Sequence, residues 1–111
     1  MLQTYVRTPI FSAASNGHTE IVKILAPLTD NPNAPDYLGR TPIYRAAYKG
    51  HTEIVKILSP LTDNPNAPNE DGNTQIHWAA WHGHTEIVKI LALIFSIGLL
   101  WFIWRTKDNY T

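Results

Sequence analysis

The chain has 111 residues, 44% of them apolar, with nine basic and nine acidic side chains and no cysteine. That length bounds it to one small domain, and zero net charge excludes a whole-chain basic surface that binds nucleic acid by neutralising phosphates. Without thiols there is no disulfide framework, thiolate nucleophile or cysteine zinc site, a composition compatible with a reducing, cytoplasmic setting.

Residues 1–7 form a lead-in with no apolar stretch long enough for a signal peptide. From Thr8 the sequence is periodic. His-Thr-Glu-Ile-Val-Lys-Ile-Leu starts at His18, His51 and His84, and Pro-Leu-Thr-Asp-Asn-Pro-Asn-Ala-Pro starts at Pro27 and Pro60. The period is 33 residues, and residues 8–40 match residues 41–73 at 24 of 33 positions. A third copy, residues 74–92, keeps the register to Ala92 and then departs. The chain is therefore an array, whose members share structure because they share sequence.

Each unit reads as two short helices and an extended turn. Thr41 is a candidate N-cap, Pro42 stands at the first helical position, where a missing N–H costs nothing, and Ile43, Ala46 and Ala47 make an apolar stripe. Gly50 stops this helix, and Thr52 is the expected cap of a second one with Ile54, Val55, Ile57 and Leu58 as its buried side and Glu53 and Lys56 paired outside. Pro60 interrupts that helix, and residues 63–73 supply turn chemistry leading to Thr74. Helices of about eight residues fall below the roughly 12 to 15 needed for marginal stability alone, so neighbouring units must stack.

The sequence Gly39-Arg40-Thr41-Pro42-Ile43, with Ala46-Ala47 and Gly50-His51-Thr52-Glu53-Ile54-Val55-Lys56-Ile57-Leu58, recurring every 33 residues, resembles the ankyrin repeat. The resemblance runs from about Thr8 to Ala92. It implies an all-α ankyrin-repeat solenoid of stacked helix-turn-helix units with extended loops, followed here by a hydrophobic C-terminal helix. It also implies protein binding and not catalysis. Where the family often has Gly after the second helix, this chain has Thr29 and Thr62. Where the family often has His, Phe11 and Tyr44 stand, and His77 alone fits.

Positions that vary between copies are those the repeat leaves free. They are 11/44/77, 12/45/78, 15/48/81 and 16/49/82, the triplets 36–38 and 69–71, and Arg40 and Asn73. The resemblance places the loop tips and the outward side of the first helix on a concave binding face. Tyr37, Leu38, Arg40, Tyr48, Lys49, Glu70, Asp71, Asn73, Trp81 and His82 are the candidate partner-binding residues on that face. Tyr48 and Trp81, flanked by Lys49 and His82, have the composition of interface anchors for a protein partner.

His18, His51 and His84 each follow a helix-ending glycine, which marks them as structural residues satisfying backbone groups at the turn. His77, His82 and His84 cluster, yet none is three or four residues from another, the spacing that aligns two ligands on one helix face, so no metal is expected. With no phosphate-cradling loop and no activated nucleophile, neither catalysis nor a cofactor is expected.

After Ala92 the polar connector gives way to Leu93 and the uncharged run 94–104, rich in Ile, Leu, Phe and Trp, and then to a short polar tail, residues 105–111. Counted from Ile87, with Lys89 snorkelling, residues 87–104 make a candidate transmembrane helix of about 27 Å, near the roughly 30 Å hydrocarbon core. Trp101 and Trp104 beside Arg105 and Lys107 suit a membrane interface. Ile87, Val88 and Leu91 are claimed twice, because the third repeat needs the same residues for its buried stripe. The sequence thus leaves a membrane anchor, a helix covering the end of the stack or associating with itself, and a truncated fragment of a longer array as alternatives.

Overall fold

The structure, a computed structural model, describes residues 7–62, 68 and 71–93. The helices are α1 (Pro9–Ser15), α2 (Thr19–Leu25), α3 (Pro42–Lys49), α4 (Thr52–Leu58), α5 (Gln75–Trp81) and α6 (85–93). Among the described residues there is no strand.

The first helix of each unit starts as its sequence dictates. Thr8, Thr41 and Thr74 lie in extended backbone, and each hydroxyl accepts a hydrogen bond from the N–H three residues on: Phe11 at 3.2 Å, Tyr44 at 3.1 Å and His77 at 3.3 Å. Gly50 closes α3 with φ 81°, a left-handed conformation cheap only for glycine, and the following His51 N–H returns to the Ala46 carbonyl at 2.8 Å.

Thr52, the expected cap of the second helix, is instead its first helical residue. His51 holds the flanking position and its side chain makes no capping bond. The turn is too tight for an extended cap residue: the Thr52 N–H donates to the Gly50 carbonyl at 3.1 Å, so the chain passes from one helix into the next without one. The outward pairs form as their spacing requires, Lys56 to Glu53 at 3.1 Å, Lys23 to Glu20 at 3.0 Å and Lys89 to Glu86 at 3.4 Å.

Proline ends the second helices in a tighter turn, Ala26–Leu28 after α2 and Ser59–Leu61 after α4. Here the threonines that replace the family's glycine have a function. The Thr29 hydroxyl donates to the Leu25 carbonyl at 2.7 Å, and the Thr62 hydroxyl to the Leu58 carbonyl at 2.8 Å. Each occupies a carbonyl that a continued helix would have bonded through the backbone N–H of that same threonine.

Helices α1, α3 and α5 pack side by side in one row, and α2 and α4 pack against each other behind it. Small residues on the front row, Ala13, Ala14, Ala46, Ala47 and Ala79, let the helices approach closely, while Val22, Ile54, Val55, Leu58, Ile87 and Leu91 fill the space behind. Two residues on which a membrane helix from Ile87 depends are therefore committed to the repeat core. The rest of that candidate, 94–104, lies outside the described residues, and among those described no helix is long and apolar enough to cross a membrane.

Candidate functional site

The candidate surface has two parts. The loop between the first two repeats is built by Asp36, which is 1% exposed. Its Oδ1 accepts the N–H groups of Leu38 at 3.0 Å and Arg40 at 2.9 Å, and its Oδ2 takes the Arg40 guanidinium at 2.8 Å. Burial pushes the carboxyl pKa up. The Arg40 side chain, the two backbone N–H donors and the Arg40 charge together outweigh that, so the group titrates below its ordinary value. The closed turn holds Tyr37 and Leu38 exposed at its tip. Arg40 is thus committed to the loop, with most of its side chain covered. In the next loop Asp71 is exposed and Asn73 half-buried, while Glu70 lies outside the described residues.

The second part is aromatic and sits on the front row. Tyr48, near the end of α3, has its ring centroid 5.2 Å from Trp78 and 4.8 Å from His82, both in the following repeat, and the Arg45 guanidinium lies 5.5 Å from the same ring. Tyr44 stacks on Tyr48 at 6.4 Å and His77 meets Trp78 edge-on at 5.3 Å. Burial and the neighbouring Tyr48 raise the Tyr44 pKa against the opposing effect of Trp78 and the arginines, so this phenol stays neutral across the ordinary pH range. The Trp78 indole nitrogen is buried, with the Tyr44 hydroxyl as its polar neighbour. Arg45, half-buried, is shifted down by desolvation and by the Arg40 charge.

Tyr48 and Trp81 occupy equivalent positions but different surroundings. Tyr48 is half-buried because the next repeat lays Trp78 and His82 over it, whereas Trp81 is 73% exposed. Lys49 and His82 are exposed beside them. Two of the structural histidines reach across repeats: the His51 and His84 rings lie against Gly17 and Gly50, and His84 Nε2 donates to the Tyr48 carbonyl at 3.2 Å, one repeat back.

A family model of ankyrin repeats, three copies, matches residues 10–97. The chain belongs to the ankyrin-repeat family. No curated protein matches its sequence. Members of this family are typically non-enzymatic protein-binding modules. Of the ten candidate residues, the ankyrin stack brings Tyr48 and His82 into direct contact. It adds Arg45, His77 and Trp78, which the comparison of copies had marked as variable without assigning them to the surface. The missing signal was an offset of 30 residues: position 15 meets position 45 through Ser15 and Arg45 at 3.4 Å, and position 48 meets position 78.

Proposed function

We propose that this ankyrin array binds a protein partner through its front row of helices and loop tips, with Tyr48, Trp81 and His82 as the anchors. Lys49, Tyr37, Leu38, Glu70, Asp71 and Asn73 form the rim, and Arg40 sets the loop that presents Tyr37 and Leu38. The observation that supports this reading is the half-exposed ring cluster of Tyr48, Trp78 and His82, extended by exposed Trp81, at positions the repeat frame leaves free. Tryptophan, tyrosine and arginine dominate the energy of protein interfaces, and a stacked cluster is pre-ordered, so little side-chain entropy is lost on binding.

Affinity capture with the full chain, followed by mass spectrometry, tests it. Proteins recovered with the native chain are lost when Tyr48→Ala and Trp81→Ala are combined, while circular dichroism retains the helical signal. An unchanged set of recovered proteins from the folded double variant refutes the surface.

A further inference from the structure

The second helices of the three repeats begin with the same eight residues from His18, His51 and His84, so differences in exposure between equivalent positions report packing, not residue type. Ile54 and Ile87 are fully buried, but Ile21 is 47% exposed. Leu58 and Leu91 are buried and Leu25 is partly open. These positions face the preceding repeat. The opposite set faces the following one: Ala14, Ala47, Val22 and Val55 are buried, Val88 is partly open and Ala80 is exposed.

The glycines show the same asymmetry. A Cβ on Gly17 would stand 2.7 Å from Cε1 of His51, and one on Gly50 would stand 2.7 Å from Cε1 of His84, because each glycine is a slot filled by the histidine of the next repeat. Among the described residues nothing lies within 4 Å of a Cβ at Gly83, and a groove lined by Ala80, Gly83, His84, Thr85, Val88 and Lys89 opens there. At the other end of the stack His18, the counterpart of the two filling histidines, is exposed.

We propose that the open α5/α6 face receives the α1/α2 face of a second copy of this chain, head to tail, with His18 entering the Gly83 slot. The occupant follows from continuity. The same two surfaces already meet twice inside the chain, and a second copy continues that interface with the identical segment. Side-chain size fits as well. Tyr48 is covered by Trp78 and His82, whose counterparts on the incoming copy are Ser12 and Asn16, both small and exposed, leaving room for the larger indole of Trp81. The contact is heterologous, so growth builds a ring or a filament and does not stop at a two-fold dimer.

Sedimentation of the full chain tests this with one variant per face, Ile21→Arg on α2 and Ala80→Arg on α5. The native chain is expected to rise in mass with concentration past twice the chain mass. Either variant alone is expected to stay at one chain mass, and an equimolar mixture to stop at two, because each supplies the face the other lacks. Circular dichroism verifies folding, and exposed His18→Glu replaces Ile21→Arg if that variant loses helix. A native chain that stays at one chain mass overturns the proposal, and so does a mixture of folded variants that fails to pair. Association undiminished in both single variants also overturns it and assigns the self-contact elsewhere, to residues 94–104, while association lost in Ile21→Arg alone overturns it in favour of an N-face to N-face pairing.

Discussion

Asp36 shows how a single buried side chain fixes part of the binding surface. Its carboxylate closes the turn that presents Tyr37 and Leu38, so removing it releases the loop as well as the ion pair. Asp36→Ala is expected to lower stability by about 1.5–3 kcal/mol, the range for hydrogen bonds to a charged group, as measured by denaturant unfolding. The pH dependence has a definite sign. Because the folded pKa lies below the ordinary carboxylate value, the stabilisation is fully present above the unfolded value and is lost as pH falls through the folded one. Asp36→Asn therefore flattens the acid limb of the stability curve and leaves its neutral slope unchanged. A second residue-scale test is Thr62→Val, which keeps the shape and removes the hydroxyl that bonds the Leu58 carbonyl. Thr62 is buried, and losing this bond is expected to cost about 0.5–1.5 kcal/mol.

At the scale of the helix pair, the decisive joints are the glycine turns. Gly50 and Gly72 have nearly the same backbone, φ 81° and φ 80°, but the His84 ring crowds the first and, among the described residues, nothing lies near the second. Gly72→Ala is expected to cost only the left-handed strain of about 1–2 kcal/mol. Gly50→Ala is expected to cost more by whatever moving His84 out of its slot requires, and the difference in midpoint between the two variants reads the inter-repeat contact directly. Much of this level was legible in the sequence. The period, the threonine caps, Pro42 at the helix start, the Gly50 stop and the Glu53 to Lys56 pair all rest on contacts within a few residues, which a single unit specifies. What was not legible depends on neighbours. Thr52 lost its cap position to the tightness of the turn at Gly50. Tyr48 and Trp81, equivalent by register, parted because one has a repeat laid over it. Arg40 looked like a free cation and is held by a buried carboxylate four residues earlier, and Trp78 entered the cluster through a contact 30 residues distant.

Over the whole molecule, the fate of residues 87–104 depends on which of two packings holds Ile87 and Leu91. In the stack both are fully buried, and Val88 and Ile90 pack at the edge of the same core. Drawing α6 into a bilayer from Ile87 surrenders the burial of Ile87 and Leu91, worth about 1.5–3 kcal/mol for each side chain, and strips the cover from α5. Bilayer insertion regains some of that apolar transfer but none of the fitted contacts in the repeat. If Ile87 and Leu91 stay in the stack, the apolar run beyond them is residues 92–104, which as a helix reaches about 20 Å, short of the roughly 30 Å of hydrocarbon. The full chain is therefore expected to be released from membranes by alkaline carbonate, with its helical signal unchanged. Retention in the carbonate-resistant pellet would mean that the third repeat opens to give up α6. Trp81 would then leave the front row, and the partner-binding surface and the membrane anchor would be mutually exclusive states of one chain.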